Sequence, residues 1–473
     1  MPRRTTYRLL ILPFALSAIL LATVELNSAP PQDAGPKTFT LEEAVNYALS
    51  HYPAVEAERD KVEAARGGVD YARTHYLPRL DSLYQANRAT SNNVMGIMMP
   101  QSVVPSVRGP VLPSSSDTAW GSIGGLLFSW QPYAFGYRHA EVNRARAGVD
   151  QASSNLEVTR LSVATRAVNA FFNLLAAEQD VIVADSNVKR WEVVNKSVHD
   201  LVDQELRPGA DASRADAQLA QAQIQLIQAQ QEVAVNRAAL ADALGLDSGA
   251  VEISAGPLLG PPPQSAPPKP SPASHPAAVA QQNTVREAQA ELQILRHSYY
   301  PGVYVQSFVS GIGSGFSPDG TLKGGANGLG PGTENYGAAL TVTFPVFNIF
   351  GIHAQEKTAK ANVQAQRNYY RQTLLGINDQ VEQAQAMLEG ARRVAEKTPV
   401  ELNAARNGEV QSRTRYQAGL TTIVELAEAE DLLQQAEIND ALARLAVWHN
   451  LANLAAAEGN LDPFLQLART GGH

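Results

Sequence analysis

Residues 336–344 alternate without a break. Tyr336, Ala338, Leu340, Val342 and Phe344 share one parity, and Gly337, Ala339, Thr341 and Thr343 share the other. Successive side chains of a strand point to opposite faces, so this stretch predicts a strand with one apolar face and one small or polar face. Trp120, Leu126, Phe128 and Trp130 repeat the device on the even positions, diluted by Ser122 and Gly124. Weaker alternation runs through Leu80–Ala86 and Val303–Val309. Four strands are expected, over about 79–88, 120–131, 302–311 and 335–347.

Elsewhere the period changes to that of a helix. His139 to Leu206 holds no proline and a single glycine, Gly148, and Gly351 to Ala418 is similarly long. Helices over about 136–206 and 351–418 would each extend ~100 Å at 1.5 Å per residue. Each meets a turn, Arg207-Pro208-Gly209 or Ala418-Gly419, followed by a shorter helix over about 210–246 or 420–459. Those helices reach only ~55–60 Å, and the segments 54–76 and 277–299 add ~35 Å each. A short pair stacked end to end therefore matches one long helix, giving four columns of equal height.

The shorter helices carry heptad seams. Ala215, Leu219, Ala222, Leu226, Ala229, Val233, Asn236, Leu240 and Ala243 step by alternating four and three. Leu426, Ala429, Leu433, Ala436, Asp440, Ala443, Val447, Asn450 and Leu454 do the same. Such seams join helices as in coiled coils. A second stripe (Ala220, Ile224, Ile227, Ala234, Ala238, Ala241) lies to one side. It implies neighbours on both flanks, as in a cylinder of helices; an ordinary antiparallel bundle with a wide apolar face is the plainer reading.

These elements occur in duplicate. Pro53 and Pro78 have counterparts in Pro276 and Pro301 at a constant shift of 223, and Phe135-Gly136 has one in Phe350-Gly351 at 215. One half-molecule was duplicated: a first repeat over 30–255, a Pro-rich connector over 256–274, a second repeat over 275–462, and a tail over 463–473. Within each half the strands are joined by long loops, 88–119 and 311–334, rich in Gly, Pro, Ser and Asn. Long loops on one side favour a membrane barrel over a pair of soluble hairpins. Met95, Met98 and Met99 sit together in the first loop, as a hydrophobic patch or, less simply, a soft-metal site.

Composition narrows the function. The first 29 residues, with Arg3, Arg4 and Arg8 before the apolar run Leu9–Val24, read as an export signal. No later run approaches a spanning helix, so any membrane crossing falls to strands. There are no cysteines, and the net charge of −8 without a basic tract argues against nucleic acid. The nine histidines form no i, i+4 pair, and no nucleophile elbow, phosphate loop or dinucleotide fingerprint is present. No enzyme activity, metal or cofactor is expected. The acids Glu425, Glu428, Glu430 and Asp431 follow the Gly419 turn, with Glu425 and Glu428 on one helix face. In a monomer they read as a solvated face; Asp216 is the first-half counterpart of Glu425.

The ordered set of signatures resembles the TolC-type outer-membrane efflux family from Thr38 to about Asp462. The residues that carry the resemblance are Leu41-Glu42-Glu43-Ala44 through Asn46-Tyr47-Ala48-Leu49, His51-Tyr52-Pro53, Tyr76-Leu77-Pro78, Phe344-Pro345-Val346-Phe347-Asn348, Tyr416-Gln417-Ala418-Gly419 and Thr422-Ile423-Val424-Glu425. The resemblance implies a mostly α chain with a membrane β-barrel, forming a homotrimer in outer-membrane lipid. Each chain would give four strands to a 12-stranded barrel and four coiled-coil columns to a periplasmic tunnel. It implies a passive exit duct of an efflux or secretion system, for small molecules or else proteins, opened by a periplasmic adaptor and fed by an inner-membrane pump. Glu425 and Glu428 match the family's tunnel-narrowing acids, and Tyr416 its gating tyrosine. Arg207, Pro208, Gly209, Gly419, Leu420 and Thr421 would form the tip that meets the adaptor. Thr421 stands where some members carry an arginine that locks the closed tip. The rival reading is a periplasmic coiled-coil scaffold or adhesin without a pore.

Overall fold

The computed structural model describes residues 37–90, 117–246, 251–263, 271–317 and 321–470. The expected export signal, the methionine cluster of the first loop and part of the Pro-rich connector lie outside them. The order is β1 (Lys37–Phe39), α1 (Leu41–His51), α2 (Pro53–Thr74), β2 (Arg79–Thr90), β3 (Thr118–Tyr133), α3 (Tyr137–Asp203), α4 (Gly209–Leu244) and β4 (Val251–Ile253). Then come α5 (Pro276–His297), β5 (Gly302–Ser314), β6 (Thr333–Thr343), α6 (Ile349–Gln417), α7 (Ile423–Ala457) and α8 (Asp462–Thr470). Two short 3₁₀ turns, Gly256–Leu259 and Pro272–Ser274, lie between β4 and α5.

Strands β2, β3, β5 and β6 form one antiparallel sheet in that order. Its register separates two faces, since directly paired residues share a face. Leu80 pairs with Phe128 and Ser82 with Leu126; Leu126 in turn pairs with Val309, and Trp130 with Val305. Val309 and Val305 pair with Tyr336 and Leu340. One face is thus apolar across all four strands. The other carries Asp81, Gln85, Ser129, Gln306, Ala339 and Thr341, with Leu127 and Phe308 among them. The sheet is open, with β2 and β6 as unpaired edges. Strand β6 stops at Thr343 instead of running to residue 347. Pro345 has no N–H to give a ladder, and Val346 N–H bonds back to the Phe344 carbonyl, turning the chain into α6.

The long helices have 67 and 69 residues, about 100 Å each. Helix α3 ends at Asp203 rather than 206, where Glu205 takes a φ of +60°. Helix α6 runs through Pro399. Along α3 pack α4, α2 and α5; along α6 pack α7 and α5. The seam residues Ala215, Ala222, Leu240, Ala243, Leu426, Leu433, Ala436, Ala443, Val447 and Leu454 are all buried. Ile224 and Ile227 of the second stripe are 48% and 63% exposed on the single chain. They are left for a neighbour, as a cylinder of helices requires.

The halves are tied at mid-height. β1 pairs in parallel with β4, and α1 begins with a capping box in which Thr40 and Glu43 satisfy each other's backbone N–H groups. The core there gathers Leu41, Val45, Phe171, Phe172, Leu240, Leu244, Trp448, Leu451 and Phe464. One 18-residue window of α3 reaches a mean hydropathy of 1.2, more apolar than the sequence reading allowed for. Phe171, Phe172, Leu174 and Leu175 are buried in this core, which accounts for it. Of the segment expected as a tail over 463–473, residues 463–470 belong to α8, with Phe464, Leu465 and Ala468 buried. Its apolar stripe is only three residues wide, too short to register as a helical period.

Candidate functional site

The far end of the helical columns is built from two turns. After α3, Leu206 N–H closes onto the Leu201 carbonyl at 2.9 Å, and Pro208 precedes α4. After α6, Gly419 takes a φ of +77°, a conformation side chains with a Cβ resist. Leu420 N–H then reaches the Arg415 carbonyl at 2.9 Å, and Thr422 caps α7 by accepting from Glu425 N–H at 3.4 Å. Leu206, Leu420 and Val424 remain exposed at 65%, 70% and 41%, and Pro208 and Gly209 are exposed as well.

Beneath the turns lies a small core of Val188, Trp191, Val194, Val198, Ala215, Ala222, Tyr416, Ile423 and Leu426. Tyr416 is 2% exposed. Its hydroxyl donates to Asp211 Oδ2 at 3.2 Å, joining α6 to the first turn of α4. The Arg207 guanidinium stacks over the Tyr416 ring, 4.3 Å from its centroid. One of its nitrogens donates to the carbonyls of Tyr416 at 2.5 Å and Thr421 at 3.1 Å. Burial, then the Asp211 carboxylate, push the Tyr416 phenol up to about 12. The hydroxyl therefore remains a donor across any physiological pH.

Position 421 is a threonine, and Arg207 brings a guanidinium to its carbonyl from the opposite turn. Thr421, 7% exposed, offers its carbonyl to Arg207 and donates its hydroxyl to the Glu425 carboxylate.

Glu425 and Glu428 are both exposed on the first turns of α7. Glu430 departs from the solvated face expected for the run, being fully buried. It lies two residues from Glu428, about 200° around the helix at 100° per residue, which turns it toward α3 and α6. Asp216 is not a free counterpart of Glu425. It accepts from His199 Nε2 at 2.9 Å and Asn195 Nδ2 at 2.7 Å, and the His199 bond, then the Asn195 bond, lower its pKa. The same contact raises that of His199.

Sequence reasoning missed Asp211 and read Arg207 only as a surface contact. Their partners lie 205 and 209 residues away, beyond any local period. Asp211 did carry a signal, as the one acid in the first turn of α4, but acids there are favoured by the helix dipole alone. Among the described residues no group of three or more His, Asp or Glu is placed to hold a metal ion.

The outer membrane efflux protein family matches residues 44–246 and 272–460, most of both halves. Protein CyaE of Bordetella pertussis is 26% identical over 441 residues, covering 90% of this chain and 86% of its own. Among solved structures, the outer membrane protein VceC of Vibrio cholerae superposes with a TM-score of 0.68 at 18% identity, over 89% of this chain and 97% of VceC. The open state of the MtrE outer membrane channel of Neisseria gonorrhoeae gives 0.67 at 19% identity, over 89% of each chain. With the duplicated strand-and-column half matched twice, the chain belongs to the outer membrane efflux protein family, as an outer-membrane channel.

Proposed function

We propose that three copies close their sheets into one 12-stranded barrel and their columns into one tunnel. Small molecules then leave the cell through it, driven by an inner-membrane pump and a periplasmic adaptor. The observation that carries this is the open sheet with an apolar face and two bare edges. Unpaired backbone is not tolerated in hydrocarbon, so β2 of one copy must pair with β6 of the next. The exposed Ile224 and Ile227 stripe gives the helical columns a matching lateral contact.

In that assembly Glu425 and Glu428 become rings of three carboxylates, and the paired Asp216 contributes less to the field. Low-dielectric walls focus such potential. Cations should be favoured over anions, and multivalent cations should block from the periplasmic side. Single-channel recording of Glu425→Gln with Glu428→Gln is the test: selectivity and block should weaken while the trimer persists. Unchanged selectivity and block would return both acids to a merely solvated face.

The turns formed by Arg207, Pro208, Gly209 and by Gly419, Leu420, Thr421 are the adaptor-contact tips in this reading. Cysteines at Gly209 or Gly419 should cross-link to the adaptor, and cysteines in loop 88–119 should not. Cross-links from the loop alone would reverse the orientation.

A further inference from the structure

A second charged cluster lies in the joint between α3, α6 and α7, above the tip and apart from Glu425 and Glu428. Arg190 of α3 meets Glu430 at 3.2 Å and Glu437 at 3.0 Å, both on α7. Arg413 of α6 meets Glu430 at 2.7 Å and Glu409, one turn back on its own helix, at 2.5 Å. Glu430 is 0% exposed and Glu409 5%. The flanks are neutral amides: Asn187 of α3 donates to Gln434 of α7 at 2.8 Å, and Gln434 donates to Gln225 of α4 at 2.9 Å. Asp431, next to Glu430 on α7, feels the charges of Glu430 and Glu428, and all three are acidic.

The charges do not balance. Three carboxylates face two guanidinium groups, and two of the carboxylates, Glu430 and Glu409, are buried, where an uncompensated charge costs several kcal/mol. A proton on one carboxylate balances the cluster. Its seat follows from the contacts: Glu430 takes both arginines and Glu437 takes Arg190, whereas Glu409 touches only Arg413 and confronts the Glu430 carboxylate. We propose that Glu409 and Glu430 share one proton, and that this proton sets how tightly α6 is held to α7 and α3, forming a clasp that tightens in mild acid.

With the proton in place, Glu409 donates to Glu430, and the arginines carry the remaining two negative charges. Without it, like charges oppose each other across the α6–α7 seam. Burial first, then the Glu430 charge and hydrogen bond, push the Glu409 carboxyl from 4.5 up to about 7, against the pull of Arg413 and Arg190; the proton belongs to the pair. A folded-state pKa above the unfolded one means the folded chain binds more protons in that window. The clasp is therefore strongest near pH 4.5 and weakens as pH rises to about 7. All five ionic side chains come from one chain, so the clasp stands apart from the pore reading.

The test is amide hydrogen exchange of the intact trimer in detergent, corrected for the intrinsic pH dependence of exchange. Protection over segments 405–416 and 424–437 should fall about tenfold from pH ~5 to pH ~8 in the unaltered protein. Glu409→Gln, neutral at every pH, should hold the acid-side protection throughout. Glu425→Gln with Glu428→Gln should keep the unaltered pH response. A full pH response in Glu409→Gln would overturn the clasp. Infrared titration of the unaltered trimer decides the matter even if that variant fails to assemble: a buried carboxylic-acid carbonyl band should disappear as pH rises through about 7, and its absence would overturn the shared proton.

Discussion

Replacing Arg207 by alanine should open the channel. The guanidinium covers the Tyr416 ring and binds two carbonyls of the opposite turn, so one substitution removes the stack and both charge-assisted bonds. Such bonds are worth about 1.5–3 kcal/mol each. Partial exposure of the arginine reduces the sum to about 2–3 kcal/mol per chain, a shift of roughly 30–150-fold toward open. In planar bilayers the variant should show more sustained high-conductance events than the unaltered protein. Arg207→Lys should restore only part of the effect, since an ammonium can still donate to a carbonyl but cannot reproduce the planar stack on the ring. Tyr416→Phe should have a smaller effect in the same direction. It deletes only the hydroxyl bond to the Asp211 carboxylate, at 3.2 Å worth about 1.5 kcal/mol, the low end for a charged partner. Because the folded phenol titrates near 12, above its ordinary 10, the bond contributes in full below pH 10 and is lost only as pH rises toward about 12. Its contribution should be level across neutral pH. An Arg207→Ala channel that conducts like the unaltered one would remove the turn-to-turn stitch from the gate.

The parts of this molecule that could be read from its sequence are those written in a local period. Strand β6 announces itself because Tyr336, Ala338, Leu340 and Val342 lie on one face and little else in the window competes. The seams on α4 and α7 are legible because one neighbour buries a stripe at heptad spacing, and Leu433, Ala436 and Val447 are buried where the stripe places them. What could not be read depends on pairs far apart in the chain. Arg207 meets Tyr416 only because two turns separated by a whole repeat come together at one end of the columns. Glu430 looks like its neighbours Glu428 and Asp431. Its burial depends on Arg190 and Arg413 arriving from two other helices, and nothing within its own helix reports them. Helix α8 escaped notice for a different reason. Nine residues give only about two and a half turns, and its fixed position comes from the core it covers.

That core makes the largest stability prediction. Phe464 is 1% exposed and sits against Phe172 and Trp448, with ring centroids 6.4 and 6.5 Å away. Trp448 is itself fully buried, and its indole N–H reaches the Gly260 carbonyl at 3.4 Å. Through these rings α8 closes the mid-height core that joins α3, α7 and the 3₁₀ turn after β4. Phe464→Ala should therefore cost about 3–5 kcal/mol, the lost transfer of the ring plus the cavity it leaves between two aromatics that cannot both collapse into it. Gln466→Ala, two residues on and exposed, should stay within about 0.5 kcal/mol. Thermal unfolding of the purified protein in mild detergent, followed by circular dichroism, should occur well below the unaltered temperature for Phe464→Ala and at that temperature for Gln466→Ala. Refilling the site tests the cause. Phe464→Leu keeps most of the volume and should recover more than half of the loss, whereas a helix needed only for its backbone contacts would treat Ala and Leu alike. Equal behaviour of the Ala and Leu variants would mean that α8 is held by its ends and not by the ring it buries.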